Sequence, residues 1–409
     1  MTSQLSDLVR ELPKSNLPAG TEVDGGQYVF YVSGPTPLRC DRFCREGDAL
    51  ILSTGGNAAI HYAEGQFAYS TDCWALEAVE EDVDGRFLYY FLNSQIDRIN
   101  ALGFEGSGLK HLRKNFIRKY PVPEFDRPEQ SKIVEVLSIV DRAIEQTEAL
   151  IVKQQRIKTG LMQDLLTRGI DEHGNLRSEK THEFKDSPLG RIPEEWEVTT
   201  LGVMLKRARG YLQTGPFGSQ LHAHEYVHEG TPVIMPQDIL NGRISTSVIA
   251  KIPERRANDL DRHRLLPNDI VFARRGDLSR AAGIGEREAG WICGTGCFLL
   301  RVPPDVVDST WLANVYRHLY VQRQIETNAV GSTMPSLNNA VMENLIIAFP
   351  KADEQREIMR RCDSAAVGIT SAFNQLTKMR TLKLGLMQDL LTGNRRVTAM
   401  LQQTEAVTA

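Results

Sequence analysis

The sequence predicts a mixed α/β fold of the α+β kind, built as two similar halves. Each half is a globular block followed by a long helix, and the two helices are expected to pair as an antiparallel coiled coil with an internal pseudo-two-fold repeat. Two observations predict this. Leu161-Met162-Gln163-Asp164-Leu165-Leu166-Thr167 recurs letter for letter as Leu386-Met387-Gln388-Asp389-Leu390-Leu391-Thr392, 225 residues later. The same offset relates Lys153 to Lys378, Ile133 to Ile358, Glu129-Gln130 to Glu354-Gln355 and Gly106-Ser107 to Gly331-Ser332. A repeat of this length is a statement about architecture.

The elements follow in order. Residues 1–125 read as short strands and turns: Gln27–Val32 and Ala49–Leu52 are rich in β-branched and aromatic residues and bounded by Gly, Ser and Pro. Residues 85–100, with Phe87, Leu88, Tyr90, Phe91, Leu92 and Ile96, suggest one amphipathic helix. The first long helix spans 126–168. Asp126 is a good N-cap with Glu129 three positions on, and Pro128 falls in the first turn, where a missing N–H costs nothing. An apolar stripe then runs through Ile133, Leu137, Val140, Ile144, Thr147, Ile151, Gln154, Lys158, Leu161 and Leu165. Its counterparts are Ile358, Cys362, Ala365, Ile369, Ala372, Leu376, Met379, Lys383, Leu386 and Leu390. Two stripes in one register suit a coiled coil, and with a whole block between them the helices pack antiparallel more readily than parallel. The alternative is the core of an ordinary bundle. Gly169 and Gly393 stand where C-caps are expected. Residues 169–191 have linker composition, with Gly169, Gly174, Pro188 and Gly190. The second block covers 192–350, with strands at Val233–Met235, Asp269–Ala273 and Cys297–Leu300 and a helix from Trp311 to Ile325. The second long helix covers 351–393, and 394–409 form a tail.

Composition bounds the function. A chain of 409 residues with 41% hydrophobic and 24% charged residues is an ordinary globular protein large enough for two domains. No apolar run approaches the ~18 residues that span a bilayer, and the first residues lack a secretory pattern, so the cytoplasm is the expected compartment. Six cysteines give no disulfide framework in that setting. Cys40-x3-Cys44 and Cys293-x3-Cys297, with His222, His224 and His228, are weighed as a metal site. Cys73 and Cys297 instead occupy similar places in apolar runs and read as buried small hydrophobes. A net charge of −4 argues against a uniformly basic nucleic-acid binder, but the signs are segregated. Glu77, Glu80, Glu81, Asp82 and Asp84 form an acidic patch, while Lys110 to Lys119 holds five basic residues and no acid.

Catalytic machinery is sparse. A phosphate-binding Gly-x4-Gly-Lys-Ser/Thr loop, a methyltransferase Asn-Pro-Pro-aromatic string, His-Glu-x-x-His and Gly-x-Ser-x-Gly are all absent from the sequence. Binding signals are present instead. Arg274, Arg275 and Arg280 surround a glycine turn after an apolar strand, and arginine forks hold phosphate or read guanine edges. The competing reading is a solvated loop with ion pairs to Asp277. Gly215-Pro216-Phe217-Gly218-Ser219-Gln220 is a tight turn carrying a buried or half-buried aromatic; Gln213, Ser219 and Gln220 supply groups suited to bases or phosphates, or simply build the turn. Lys110, Arg113 and Lys114 follow the Gly106-Ser107 turn, where the second copy has Pro335 to Asn339. Same frame, different side chains.

In this order the strings resemble the specificity subunit of a type I restriction–modification system. Ile192-Pro193-Glu194-Glu195-Trp196-Glu197, preceded by Asp186 to Gly190, resembles the opening of that family's target-recognition domain. Thr214 to Leu221 resembles a frequent early turn, Gly331 to Asn338 the closing segment, and Glu129-Gln130 and Glu354-Gln355 the start of the helical repeats. The first block lacks the Ile-Pro-x-x-Trp string and is shorter, so it reads as a compact variant; Gln27 to Gly34 resembles an early strand of other members. The resemblance implies two target-recognition domains, each reading one half of a split, asymmetric sequence in double-stranded DNA. It implies helices that space the domains and dock two adenine methyltransferase subunits, with two translocase–nuclease (restriction) subunits completing the complex. Methyl donor and ATP would then belong to those partners, with no cofactor, metal or catalytic residue here and no membrane. Rival classes are a self-contained DNA-modifying or DNA-cutting enzyme and a coiled-coil scaffold without DNA specificity.

Overall fold

A computed structural model describes residues 2–79, 83–328 and 336–397. The chain divides into two compact units. The first joins residues 1–151 to 371–409, and the second is residues 152–370. Each unit therefore takes one globular block, the opening part of the helix that follows it, and the closing part of the other long helix.

In the first unit an antiparallel sheet runs in the order Val9–Glu11, Cys73–Ala78, Ala49–Ser53, Ile60–Ala63. In the second unit the order is Tyr211–Thr214, Cys297–Arg301, Ile270–Ala273, Ala281–Gly283, which is the same arrangement. A second sheet in each unit contains one parallel pair, Tyr28–Tyr31 with Gln66–Tyr69 and Thr231–Ile234 with Ile292–Cys293. The central strands are buried on both faces, so they read as continuous apolar runs instead of alternating ones. Side chains on opposite faces serve different cores. Leu50, Leu52, Trp74 and Leu76 pack with Phe87, Leu88 and Leu137, while Ala49, Ile51 and Ala75 pack with Tyr31 and Phe67. Ile270, Phe272, Phe298 and Leu300 likewise pack with Trp311 and Ile358, and Val271 and Leu299 with Ile234 and Ile284.

Two expected helices are broken in two. The 85–100 segment forms Gly85–Ser94 and Ile96–Leu102, because the Gln95 N–H bonds back to Leu92 O (3.1 Å) and the turn tightens. The Trp311–Ile325 segment forms Ser309–Tyr316 and Leu319–Asn328, where the His318 N–H bonds to Val315 O (2.9 Å). Both pieces bury apolar residues in each case, so periodicity alone does not reveal the break.

The long helices are Arg127–Arg168, 42 residues, and Ala352–Leu391, 40 residues. Asp126 Oδ1 accepts the Glu129 N–H (2.8 Å), and Gly169 and Gly393 take the left-handed backbone at the two ends (φ 60° and 76°). Within the first unit, Ile133 and Leu137 share a core with Leu390, the half-buried Leu386 packing on it, while Ile151 and the half-buried Ile144 meet Ala372 and Leu376. Ion pairs Asp141–Lys383 (2.6 Å) and Glu148–Arg380 (2.7 Å) follow the same antiparallel sense. Within the second unit, Leu165 and Leu166 meet Ile358 and Cys362, with Leu161 at the margin. Val140 is half-buried and Ile369 buried, so the stripe faces inward along its length.

The repeated Glu-Gln has a structural reason. Gln130 Nε2 donates to Phe125 O (2.9 Å), and its Oε1 accepts the N–H of Asp84, the N-cap of Gly85–Ser94 (2.8 Å). Gln355 does the same with Pro350 O (2.9 Å) and the N–H of Asp308, the N-cap of Ser309–Tyr316 (2.8 Å). Each glutamine thus ties a long helix to the helix of its own block. The glutamates lie beside them. Glu354 accepts from Arg177 (2.5 Å), the Ile170 N–H (3.0 Å) and the Trp196 indole (3.3 Å), while Glu129 pairs with Arg396. Trp196 of the Ile-Pro-x-x-Trp string therefore closes a buried clasp. The segment of linker composition is ordered as a hairpin, Phe184–Ser187 with Gly190–Pro193. Among the described residues no helix is long and apolar enough to cross a membrane.

Candidate nucleic-acid interface

In both units the central strand runs out into a glycine turn at the same place. Ser53 pairs with Cys73 and Ala273 with Cys297, which makes Thr54-Gly55-Gly56 the counterpart of Arg274-Arg275-Gly276. Gly56 and Gly276 both adopt positive φ (80° and 78°), a conformation that favours glycine. A closing segment crosses each turn. Leu112 N–H bonds to Thr54 O and Leu337 N–H to Arg274 O, both at 3.0 Å, with bridges Gly55–His111 and Arg275–Ser336. Arg113 and Lys114 therefore correspond to Asn338 and Asn339. The first unit carries its cations on the closing segment, and the second carries them on the turn.

An aromatic ring underlies the cations in each unit. Trp74 and Phe298 occupy equivalent strand positions, opposite Leu52 and Phe272. Lys114 Nζ lies 4.8 Å from the Trp74 ring centre and the Arg118 guanidinium 5.7 Å from it. Arg274 lies 5.9 Å from Phe298 and 5.8 Å from Phe217. Such contacts hold a cation in place without neutralising it.

The individual candidates differ in how free they are. Lys110 and Arg113 are exposed, and Arg113 faces Glu105 at 3.4 Å. Arg118 is paired with Glu11 (2.6 Å); burial works against the Glu11 charge, but hydrogen bonds from Arg118 and Trp74 outweigh it and hold the carboxyl below its usual range. Gln213 donates to Arg262 O (2.5 Å) and Gln220 Oε1 accepts the Phe217 N–H (3.0 Å), so both have structural partners. Ser219 is exposed and Phe217 is half-exposed at the head of the turn. That turn is seated tightly: the Gly215 N–H bonds to Cys297 O (2.9 Å), and a Cβ at Gly215 would fall 2.0 Å from Gly294 O.

The three arginines of the second unit separate. Arg280 is drawn to Asp277 (3.0 Å) and Pro236 O (3.1 Å), the local pairing weighed from the sequence. Arg274 is half-buried and donates to Leu337 O (3.2 Å); burial, then the neighbouring Arg275 charge, lowers its pKa. Arg275 is exposed and has no ion pair among the described residues. The geometry thus sets Arg274, beside Arg275 on one turn, against Phe217 of the other, with Arg280 held by Asp277 and Gln213 by Arg262 O. Phe217 as an exposed ring over an arginine, and Trp74 as a cation platform, are not visible from spacing.

The remaining sequence candidates have structural homes. Cys293 and Cys297 are buried in the second core, and burial pushes both thiols up. His222 and His224 stack at 5.5 Å, and among the described residues no group of three His, Cys, Asp or Glu could hold a metal. In the acidic patch Glu77 pairs with Arg10 (2.8 Å) and Asp84 with Arg127 (3.2 Å). Glu80, Glu81 and Asp82, and residues 331–335 of the closing segment, lie outside the described residues.

The family described as the type I restriction modification DNA specificity domain matches residues 3–154 and 193–370. The chain is 25% identical over 362 residues to the type I restriction enzyme MjaVIII specificity subunit of Methanocaldococcus jannaschii, covering 86% of this chain and 80% of that one. It is 23% identical over 382 residues to the EcoBI specificity subunit of Escherichia coli, covering 90% and 76%. Its fold is similar to the crystal structure of the type I restriction–modification S subunit from M. genitalium, with a TM-score of 0.60 at 18% identity over 96% of both chains. The match spans both units, and the duplicated sheet-and-turn frame is what a twice-matched domain would produce. This chain belongs to the type I restriction–modification DNA specificity family.

Proposed function

We propose that this chain is the non-catalytic reader of a type I restriction–modification complex, with residues 1–125 and 192–350 each reading one half of a split, asymmetric target in duplex DNA. The observation that carries this is the shared turn frame with exchanged chemistry. Lys110, Arg113 and Lys114 stand on one side of it in the first unit, and Arg274 and Arg275 on the other side in the second. Phosphate contacts position a protein on DNA and base contacts specify. A constant frame with relocated cations meets the same backbone while presenting different edges.

Residues 126–168 and 351–393 are the spacer helices, joined through the 169–191 linker, with 394–409 as a tail. The helices also dock two adenine methyltransferase subunits, and two translocase–nuclease subunits complete the assembly in the cytoplasm. Exposed apolar side chains favour docking there: Ile139, Leu150, Leu382 and Leu384 in the first unit, Ile157 and Val367 in the second. Methyl donor and ATP belong to the partners. Exchanging residues 196–350 for the corresponding domain of another family member tests the modular reading. One half of the methylated sequence should change and the other persist; change in both halves, or in neither, would contradict it.

A further inference from the structure

Lys158 and Lys383 hold the same position in the repeated helix, yet their surroundings differ in kind. In the first unit Lys383 Nζ sits 2.6 Å from Asp141 and 5.7 Å from the Tyr90 ring centre. Tyr90 in turn donates to Asp141 (2.7 Å), so the lysine, carboxylate and phenol fill the space between them. In the second unit the counterpart of Asp141 is Ala366 and that of Tyr90 is Asn314. The counter-charge and the bulky ring are both gone. What is left is a cavity of about 690 Å³ that Lys158 lines without an ion pair among the described residues.

The other walls are cationic, amide and apolar, and among the described residues no carboxylate lines the cavity. Arg317 stands at the junction of Ser309–Tyr316 and Leu319–Asn328, half-buried and without an ion pair among the described residues. It is braced by the Asn241-Gly242 turn, whose residues both take positive φ (51° and 80°); a Cβ at Gly242 would meet the Arg317 guanidinium at 2.8 Å. That turn joins Ile239–Leu240 to Arg243–Ile244 as a two-residue hairpin and brings Asn241 into the wall. His318 also lines the cavity, and its Nδ1 is buried without a partner. Gln155 and Asn314 add amide groups, and Met162 and Ile369 an apolar wall.

We infer that this cavity binds a small phosphorylated anion of up to mononucleotide size. Two cations without a direct ion pair among the described residues, Arg317 feeling only the more distant Asp277, suit a phosphate dianion, and the volume lies within the range of small-molecule sites. The amide groups and apolar wall suit an organic body attached to that phosphate. The first unit shows what the cavity looks like when its charge is met from within.

Calorimetric titration of the full chain with inorganic phosphate and with adenosine monophosphate tests this. Lys158→Ala and Arg317→Ala should each weaken binding roughly tenfold, the loss of one charge-assisted contact. Ala366→Asp restores the acid of the first unit and should abolish binding while keeping or raising the melting temperature, which guards against variants that fail to fold. Lys378→Ala, an exposed lysine of the first unit, should leave binding unchanged. Repeating the titration with a saturating short DNA duplex separates the sources of phosphate. Displacement assigns the site to the DNA backbone, and persistence assigns it to a free phosphorylated molecule. Absence of binding to the wild-type chain, or binding that Lys158→Ala and Ala366→Asp leave intact, overturns the inference and leaves the DNA-reading proposal untouched.

Discussion

Replacing Arg177 by Ala opens the clasp at the start of the second long helix. The Arg177 side chain is 5% exposed and Glu354 12%. Arg177 donates to Glu354 at 2.5 and 3.3 Å and to Glu195 at 2.7 Å. Burial works against the arginine charge, but hydrogen bonding to Glu354 and the nearby carboxylates outweigh it and raise its pKa. Truncation strands a buried carboxylate, and breaking such a pair costs about 3–5 kcal/mol. The Ile170 N–H and the Trp196 indole still reach Glu354, which places the loss near the lower bound, about 3 kcal/mol. For a unit of this size that lowers the melting midpoint by roughly 6–12 °C. The contrasting variant is Arg207→Ala, whose partner Glu197 is exposed as it is (63% and 60%), so water replaces the arginine and the loss is about 1 kcal/mol or less. Urea unfolding followed by tryptophan fluorescence and by circular dichroism measures both. An Arg177→Ala loss under about 1 kcal/mol would refute the clasp as a determinant of stability.

Four further outcomes are expected. Arg275→Ala should weaken DNA binding and either lower the salt slope by about 1 or relax preference at one base pair, whereas Arg280→Ala should do neither, as filter binding at several salt concentrations will report. His263 is buried and its pKa is depressed to about 4, by burial and then by Arg262. The unfolded chain therefore binds a proton that the folded one refuses, so stability falls as pH drops from 6.5 towards 4. His263→Gln should flatten that part of the melting curve against pH; an unchanged slope would discount the histidine. Leu137→Ala, fully buried, should cost about 2–5 kcal/mol. Ile139→Ala, 50% exposed, should stay within about 0.5 kcal/mol yet weaken methyltransferase docking in a pull-down.

The repeat, the helices and the fold class were legible because each is written in spacing, and the antiparallel sense because a whole block separates the two helices. Identical strings fix equivalent positions, and the apolar stripe fixes the buried face. The breaks at Gln95 and His318 were not legible, since a tightened turn keeps both pieces apolar on one side. The candidate interface was legible only in composition. Sequence alone placed Arg274, Arg275 and Arg280 together, but their partners lie on other strands: Asp277 and Pro236 take Arg280, while Leu337 and Phe217 take Arg274. The correspondence between Lys114 on Trp74 and Arg274 on Phe298 crosses from one segment of the frame to another, so no linear alignment of the halves shows it. The same holds for Lys158, which looks identical to Lys383 until its neighbours on other helices are compared.

Two readers, one per unit, are proposed to recognise two separated half-sites. Selection of bound duplexes from a randomised pool, by the chain assembled with the methyltransferase subunits proposed as its partners, measures this directly. The expected result is a split motif of two unrelated half-sites with a gap of fixed length. Arg275→Ala should leave the first unit's half-site unchanged, and Lys110→Ala with Lys114→Ala should leave the second unit's half-site unchanged. A single uninterrupted motif, or a substitution that alters both halves alike, would contradict the two-reader proposal.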